Sequence, residues 1–467
     1  MKITLIEPAS PASHVYSRFR LPRLGVLILG QLAADAGHEV TICLEEQKRI
    51  VEDAIRGSDL VGVSTVTSTA PAAFRLTNIA RNWGAKTVLG GAHPTALPEE
   101  SLRHADFVLR GEGEESFLHL LEHLEGRRSA GEVAGLTWLE AGLIRHNPPP
   151  APTDPTKIPA IDYSKLLGEP MGRKTRGVLP VQTSRGCPHN CNFCSVTAMF
   201  GRKLRFLSPE QVAEQLELLR GQGDMVFFYD DNFCASPSRT KKLLDYLMSH
   251  NVFLPSWTAQ VSVRAARDEE MLRLMARSGC KTVYVGFESF NEQVLAGYHK
   301  QQSAEDIRRT VESFHRHGIR VHGMFIAGAD QDDARNIRRT ARMARRMGVD
   351  TIQMMVLTPL PGTPVFEQMR QAGRLLSYDW SLYDAHHAVF SHPVMKPRQL
   401  EQAAVKAMKK FYSRGLVVTS LLKLDFYRTS LAVYARHQLK RWWRENQRRF
   451  RDSLSSPASG SLAHHPA

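Results

Sequence analysis

Two series of short strand-like segments, each alternating with amphipathic helical segments, constrain the fold of this chain more than any other feature. The first series occupies residues 1–145 and predicts strands at residues 2–6, 39–43, 60–64, 86–89 and 106–109. Strands that alternate with helices pair in parallel, and helices cover both faces of such a sheet. We therefore predict an α/β fold, with any ligand of this part lying at the carboxyl ends of its strands.

The second series predicts six strands, at residues 179–183, 225–229, 256–261, 282–287, 320–326 and 351–357. Six strand and helix units predict a partial barrel over residues 176–395, with its chemistry at the carboxyl ends of the strands. Residues 146–175, between the two series, are rich in proline. Because proline fixes φ and lacks an amide donor, we predict a semi-rigid linker there.

Basic residues are concentrated at the carboxyl-terminal end. Residues 396–467 contain 15 Lys or Arg and four Asp or Glu, and the whole chain of 467 residues has a net charge of +14. We predict a basic helical region over residues 396–453 and a disordered tail over residues 454–467. A strongly positive net charge is typical of proteins that bind nucleic acid, an anionic membrane surface or an anionic substrate.

Cysteine usage and the distribution of apolar residues indicate the compartment. Six Cys are too few for a disulfide scaffold, and three of them lie within eight residues. The amino-terminal residues contain no apolar stretch suited to export, and no apolar run approaches the ~20 residues that cross a bilayer. We expect a cytoplasmic protein.

The segment that contains three of the cysteines indicates the chemistry. Cys187, Cys191 and Cys194 follow the first strand of the second series. Three thiolates on one short loop can hold three irons of a cubane and leave the fourth iron open. A structural zinc site normally has four ligands, and His189 lies in a cramped position between the cysteines. We predict a 4Fe-4S cluster on these three residues.

This CxxxCxxC segment, with Phe193 before its last cysteine, resembles the radical S-adenosylmethionine superfamily. The resemblance implies that the open iron chelates the amino and carboxylate groups of S-adenosylmethionine. It also implies that one electron cleaves the carbon-sulfur bond and that the resulting 5′-deoxyadenosyl radical abstracts a hydrogen atom. By the same resemblance Phe193 lies near the adenine, and an external donor of ferredoxin or flavodoxin type supplies the electron.

Other positions of the second series match the same superfamily one strand at a time. The resemblance implies contacts with the methionyl amine from Asp230 and Asp231 and with the methionyl carboxylate from Arg264. A helix cap and a surface arginine remain the alternatives for these positions. It also implies that Glu288 binds the ribose and that the strand with Gly323 and Gly328 approaches the adenine, although packing alone could explain the glycines.

The first series resembles the cobalamin-binding domain fused to one subgroup of that superfamily. The resemblance rests on residues 90–95 and 108–115, and it implies a Rossmann-like (flavodoxin-like) domain over residues 1–145. The implied cobalamin contacts are Ser64, Thr65, Gly90, Gly91, Gly111 and Gly113. The Asp-x-His-x-x-Gly element that ligates cobalt elsewhere is missing, which leaves a docking domain without cobalamin as the alternative. We expect His93 to be a hydrogen-bonding loop residue.

Together these resemblances predict a cobalamin-dependent radical S-adenosylmethionine enzyme that methylates an unactivated carbon of a small-molecule or lipid substrate. Three alternatives remain: a radical cyclase or rearrangement enzyme, an RNA-modifying methylthiotransferase, and a non-catalytic iron-sulfur protein. The methylthiotransferases carry a second cysteine trio in an amino-terminal domain, whereas residues 1–145 contain only Cys43. We therefore expect no nucleic acid partner.

The aromatic and basic residues of the carboxyl-terminal region predict one further contact. Trp442 and Trp443 lie among several arginines, a pattern typical of an interfacial helix on anionic lipid. The alternative is a helix with a solvated charged face and aromatic side chains that pack on the barrel. The sequence thus predicts peripheral contact with the inner face of the membrane as an addition to a cytoplasmic location.

Overall fold

The computed structural model describes residues 1–10, 21–45, 51–168, 171–175 and 177–453. The predicted disordered tail lies outside these residues. The amino-terminal sheet has the strand order β2-β1-β3-β4-β5-β6-β7. Its strands are β1 Lys2–Glu7, β2 Glu39–Leu44, β3 Leu60–Ser64, β4 Lys86–Gly90, β5 Phe107–Leu109, β6 Leu136–Glu140 and β7 Leu143–His146.

The first five strands of this sheet are parallel, as the alternating pattern predicts. An antiparallel hairpin of β6 and β7 extends the sheet beyond β5. The sequence analysis missed this hairpin. Ala141 and Gly142 form its turn with φ of 49° and 79°, and Gly142 is the signal that could have indicated it.

The second sheet forms a six-stranded partial barrel with the order β15-β14-β13-β12-β11-β8, and all of its neighbouring strands are parallel. The consecutive order confirms the predicted partial barrel. A separate two-stranded ribbon joins β9 and β10. The strands are β8 Val178–Val181, β9 Ser184–Arg185, β10 Arg205–Phe206, β11 Met225–Phe228, β12 Ser256–Val261, β13 Cys280–Glu288, β14 Arg320–Ala327 and β15 Thr351–Val356.

Helices cover both sheets and make up the carboxyl-terminal region. Those of the amino-terminal part are α1 Leu24–Asp35, α2 Val51–Ile55, α3 Ala70–Asn82, α4 Ala92–Ala96, α5 Pro98–Leu102, α6 Glu114–Leu124, α7 Tyr163–Leu167 and α8 Met171–Thr175. Those of the barrel are α9 Ser195–Phe200, α10 Pro209–Leu218, α11 Pro237–Ser249, α12 Glu269–Arg277, α13 Glu292–Gly297, α14 Ala304–Arg316, α15 Ala334–Arg346 and α16 Pro364–Gln371. The carboxyl-terminal helices are α17 Pro397–Phe411, α18 Arg414–Leu422 and α19 Phe426–Ser453.

The proline-rich segment between the two sheets is packed against both of them. The Tyr163 hydroxyl donates to the Pro180 carbonyl at the end of β8, and the Asp162 amide donates to Gln31 on α1. Tyr163, Leu166 and Leu167 are buried in a core cluster that also contains residues of both sheets. Burial of this segment therefore fixes the orientation of one sheet relative to the other.

The carboxyl-terminal helices pack on the barrel. The Tyr412 hydroxyl donates to the carbonyl of Ile352 on β15 and accepts from its amide, at 2.7 and 2.8 Å. On α19 one face is buried, through Ala432, Ala435, Leu439 and Trp442. Among the described residues, none of the helices combines the length and the apolar character needed to cross a bilayer.

Candidate functional site

The loop with the three cysteines leaves the barrel at the carboxyl end of β8. The short ribbon of β9 and β10 holds the loop at its base, and the Cys187 amide donates to the Gly201 carbonyl. Gly186, just before the first cysteine, has a φ of 87°. A Cβ there would lie 2.5 Å from the Lys203 carbonyl oxygen, so only glycine fits this turn.

The three thiols lie near one another in a partly buried setting. Burial raises the pKa of each thiol, and for Cys194 burial together with the charges of Cys191 and Cys187 raises the pKa to about 12. A thiolate at these positions therefore needs a neighbouring positive charge, which a metal supplies. The donor set fits a cluster that takes each thiolate on a different iron.

Polar atoms without partners surround the cysteine loop. The side-chain oxygens of Asn192, Asn232 and Tyr298 are buried and accept or donate no hydrogen bond within the described part of the chain. Buried polar atoms without a protein partner are groups that a bound polar ligand can satisfy.

The two neighbouring aspartates after β11 differ in their environments. Both carboxylate oxygens of Asp230 are engaged, because they accept from the Thr183 amide at 2.6 Å, the Thr183 hydroxyl at 2.5 Å and the Ser184 amide at 3.0 Å. Asp230 thus fixes the segment that precedes the cysteines. Burial raises the pKa of Asp231 to about 7, and the Asp230 carboxylate adds to this rise.

Glu288 ends β13 at an irregularity in the pairing with β14 and has a φ of 57°, which is rare for a side chain of this size. Its carboxylate is buried and lies 2.8 Å from the Lys300 ammonium. Burial lowers the pKa of Lys300, but the Glu288 carboxylate together with Cys191 and Cys194 outweighs this and raises the pKa overall. The Lys300 charge also lowers the pKa of Cys191, so this ion pair lies beside the cysteine loop.

Sequence reasoning missed Lys300. It lies after α13, in a segment without a motif, and a single lysine there gives no signal. Arg264, which was predicted to bind the methionyl carboxylate, is exposed and donates to Gln301 at 2.9 Å. Three causes lower the pKa of His189 in the cysteine loop: burial is the largest, the charge of Lys300 is second, and the charge of Arg264 is third. Arg264 therefore borders the site, whereas Lys300 is the cation inside it.

Phe193 stands edge-on to Tyr298, with ring centroids 5.0 Å apart. A Cβ at Gly323 would meet Phe287, Phe325 and Val349 at 2.9 to 3.1 Å, and one at Gly328 would meet Leu400 at 3.0 Å. Packing against buried side chains thus gives both positions a reason to be glycine.

The predicted cobalamin residues lie at the carboxyl edge of the amino-terminal sheet. A Cβ at Gly90 would lie 3.8 Å from the Leu109 carbonyl oxygen, and one at Gly113 would lie 3.8 Å from Leu29, which are ordinary van der Waals contacts. Gly91 has a φ of 102°, and a Cβ there would lie 2.5 Å from the Thr65 carbonyl oxygen, so this position requires glycine.

Two of the other predicted cobalamin residues, Thr65 and Gly111, make hydrogen bonds to neighbouring residues. The Thr65 hydroxyl is buried and lies 2.7 Å from the Thr69 hydroxyl, whereas Ser64 is half-buried. The Gly111 amide donates to Thr95.

His93 makes no hydrogen bond with a described residue, contrary to the expectation. Its ring lies against Trp380 of the barrel part, and burial lowers its pKa to about 4.

Buried ion pairs join the two edges. Glu112 lies between Gly111 and Gly113 and binds Arg185, at 2.7 Å, and Arg205, at 2.5 Å. Glu114 binds the other terminal nitrogen of Arg185 at 2.5 Å. The Arg185 side chain is 4% exposed, so this network is nearly dry. It fixes the loop after β5 against the residues that precede the cysteines.

The sequence analysis assigned the Gly-Glu-Gly-Glu segment to cobalamin through its glycines and gave the glutamates no role. Their acidic character was the available signal, but their partners could not be recognised without the fold. Because β5 and β8 both end at this network, the carboxyl edges of the two sheets lie next to each other. A site between them is accessible to residues of both parts.

Comparison with known proteins agrees with this two-part arrangement. Residues 181–344 match the Radical SAM superfamily, and residues 15–121 match the B12 binding domain. An uncharacterized methyltransferase of Pyrococcus horikoshii is 32% identical over 77% of this chain and 80% of its own length. The bacteriochlorophyllide d C-12(1)-methyltransferase of Chlorobaculum tepidum is 26% identical over 89% of this chain and 88% of its own length.

The solved structure of the radical S-adenosylmethionine methyltransferase TsrM from Kitasatospora setae has the same overall fold. It aligns with a TM-score of 0.72 over 95% of this chain and 99% of its own, at 16% identity. The cysteine loop, the partial barrel and the adjoining sheet are thus features of one known family. This chain belongs to the radical S-adenosylmethionine superfamily, in the branch whose members carry an amino-terminal B12-binding domain.

Proposed function

We propose that this protein transfers a methyl group from cobalamin to an unactivated carbon of a small-molecule or lipid substrate. The observation that carries the proposal is the buried network of Glu112, Glu114, Arg185 and Arg205. A methyl donor and a hydrogen-abstracting group must both reach one substrate carbon, and the network keeps their two sheet edges together. Such placement lowers the entropic part of the barrier.

The cofactors would divide the chemistry, and the chain would position them. When bound, the cluster with S-adenosylmethionine supplies a reactant that removes a hydrogen atom from carbon, and the corrin supplies a methyl group. Cys187, Cys191 and Cys194 would hold the cluster. We assign the cobalamin edge to Ser64, Gly90, Gly91, Gly111 and Gly113, which lie at the carboxyl ends of β3, β4 and β5.

The remaining groups would bind and orient S-adenosylmethionine. The charges of Lys300 and Asp231 reach the cysteine thiols, and these two groups would contact the methionyl carboxylate and amine. Glu288 would accept from the ribose hydroxyls while Lys300 holds its carboxylate in place. Phe193 would lie against the adenine, and Arg264 would remain at the rim.

The likeness to methyltransferases supports carbon methylation, and the likeness to cyclases makes cyclisation the second candidate. We also propose an external electron donor of ferredoxin or flavodoxin type, since the described residues include no second cysteine cluster. A reducing cytoplasmic location fits a cluster of this kind.

The test is anaerobic reconstitution with iron, sulfide and hydroxocobalamin, followed by reaction under a strong reductant with S-adenosylmethionine that carries a deuterated methyl group. An optical spectrum measures retained corrin, chromatography measures 5′-deoxyadenosine, and mass spectrometry detects the deuterated methyl group in a cellular extract. We expect all three signals. Cys191→Ala should abolish the 5′-deoxyadenosine, whereas the matched variant Cys280→Ala, at a buried cysteine outside the loop, should retain it.

Each failure has its own meaning. If 5′-deoxyadenosine forms without bound corrin, methyl transfer through cobalt is wrong. If corrin is retained and the product lacks the deuterated methyl group, the protein is a cyclase or rearrangement enzyme. If the cluster assembles and no 5′-deoxyadenosine forms, the non-catalytic alternative replaces the proposal.

A further inference from the structure

An exposed apolar patch lies where α18 meets α19. Val418, Leu421, Leu422, Leu424 and Phe426 are 54%, 50%, 77%, 72% and 65% exposed, respectively. We call these five residues the apolar tip. Single exposed leucines are ordinary, but five large apolar side chains within one helical turn and its flanks form a patch of the kind that marks an interaction surface. Lys423, inside the tip, is also exposed.

A strongly basic helix lies next to the tip. The α15 helix contains six arginines and no acidic residue. Five of them are exposed and form no ion pair with a described residue: Arg335, Arg338, Arg339, Arg342 and Arg346. We call these five residues the arginine face. The sequence analysis placed the basic charge in the carboxyl-terminal region and overlooked this helix.

Two contacts connect the helix of the arginine face with the helices of the tip. Arg345, at the end of α15, donates to the Ser413 hydroxyl that caps α18, at 2.7 Å. Arg428, at the start of α19, donates to the Val349 carbonyl just after α15, at 3.1 Å. The carboxyl end of α15 therefore contacts the first residues of α18 and α19, so the last turn of α15, with Arg342 and Arg346 of the arginine face, lies next to the helices that carry the tip.

The aromatic face of α19 is not available to the same partner. Leu439 and Trp442 are 1% and 3% exposed, and both belong to the main core cluster. The Lys409 ammonium lies over the Trp443 ring, 5.6 Å from the ring centroid. The predicted interfacial helix thus uses its apolar face for packing on the barrel. Any membrane contact must be made elsewhere.

We propose that the apolar tip inserts into the interface of an anionic lipid bilayer while the arginine face binds the lipid phosphates. Apolar side chains beside unpaired arginines match a surface that is apolar below a negatively charged layer. A second copy of this chain would bring arginine against arginine, so charge disfavours self-association. A nucleic acid would match the arginines but would leave the apolar tip in water.

The test measures binding of the full chain to sedimenting vesicles of phosphatidylcholine, with and without phosphatidylglycerol. We expect binding to the anionic vesicles only, with an affinity that falls as salt rises. The variant L422S/L424S/F426S should lose at least tenfold in affinity, because it removes the inserted side chains. Arg338→Gln with Arg342→Gln should also weaken binding several-fold and reduce its salt dependence.

The matched control is L139S/L143S on the β6–β7 hairpin, whose leucines are 57% and 59% exposed and lie far along the chain from the tip. It should bind vesicles like the unaltered protein. Circular dichroism and the melting temperature check that each variant is folded. The proposal goes beyond methyl transfer and needs no cofactor, so vesicle binding without 5′-deoxyadenosine would contradict only the proposed function.

Three results would overturn the inference. Equal binding to neutral and anionic vesicles would remove the role of the arginine face. An equal loss in the tip and hairpin variants would show that exposed leucines bind vesicles without specificity. If sedimentation velocity gives a dimer that the tip substitutions convert to a monomer, the tip binds a second copy of the chain instead.

Discussion

At the scale of single residues, the ion pair between Lys300 and Glu288 brings two opposite charges beside the cysteine loop. Both side chains are largely removed from water, so the loss of either would leave a buried charge without its partner. Asp230, which follows β11, has a structural role instead. Its carboxylate is fully occupied by Thr183 and Ser184 and serves the loop's geometry.

Lys300→Met should lower both stability and activity. The Glu288 carboxylate would remain buried without its cation, which costs about 3 kcal/mol in unfolding free energy. We also expect 5′-deoxyadenosine formation to fall, because the site loses its internal positive charge, whereas Lys300→Arg should recover part of both. The control is Lys241→Met, which breaks a more exposed pair with Glu270 and should cost less than about 1 kcal/mol. Equal melting temperatures for the two methionine variants would contradict the assignment.

Glu401 on α17 gives a pH dependence. Burial raises its pKa to about 8, from a usual value of 4.5, and the hydrogen bond from the Ala388 amide only partly opposes this. The folded protein therefore holds a proton that the unfolded chain has lost between these values, and stability falls as pH rises through that window. Glu401→Gln should remove this loss.

The measurement is the melting temperature of the unaltered protein and of E401Q at pH 5 and at pH 8.5. The two should agree near pH 5, and the variant should be more stable at pH 8.5 by an amount on the order of a few kcal/mol. A difference that does not depend on pH would mean that the Glu401 carboxyl is not buried as the structure has it.

At the scale of elements, the loop after β5 and the β9–β10 ribbon depend on each other. Glu112 and Arg185 are 5% and 4% exposed, and Arg205 reaches the same carboxylate. Arg185 also has the Phe200 ring below its guanidinium, 5.8 Å away. These contacts connect the sheet edge of one part with the cysteine loop of the other, so they couple the stability of the two parts.

Glu112→Ala should destabilise the protein by about 3 kcal/mol or more, since it leaves two buried guanidiniums short of a partner. Arg185→Met combined with Glu112→Ala should cost less than the sum of the single changes, which a double-mutant cycle measures by chemical unfolding. The exposed pair of Arg220 and Glu217 is the control and should contribute below about 1 kcal/mol. Additive costs at Glu112 and Arg185 would exclude the coupling.

At the scale of the whole molecule, the carboxyl-terminal helices complete the barrel. The Tyr412 hydroxyl bonds β15 through both backbone groups of Ile352, and α19 covers this region with a buried apolar face. Truncating such a face leaves a cavity in a core that extends into the barrel. The helices are therefore part of the folded enzyme as well as the support of the apolar tip.

Trp442→Ala should lower the free energy of unfolding by about 3 kcal/mol, in the range found for large aromatic truncations in cores. The half-buried neighbour Trp443 is the control, and Trp443→Ala should cost less. Thermal unfolding followed by circular dichroism measures both. If the Trp442 variant melts like the unaltered protein, α19 does not pack on the barrel as described.

The sequence by itself determined the two α/β parts and the cysteine loop. Strand and helix periodicity, glycine turns and cysteine spacing act over short distances along the chain, so the order of residues expresses them directly. The order of strands in the partial barrel followed in the same way, because consecutive parallel units pack side by side. The β6–β7 hairpin was missed since its strands are short and lie at an edge.

Only the tertiary structure decided the partners of the charged residues. Glu112 and Arg185 are 73 positions apart, and Lys300 meets Glu288 across an intervening helix. The packing reason for Gly323 and the engagement of Asp230 also depend on residues distant along the chain. Charge pairing and close packing depend on proximity in space, and proximity exists only after both sheets have assembled.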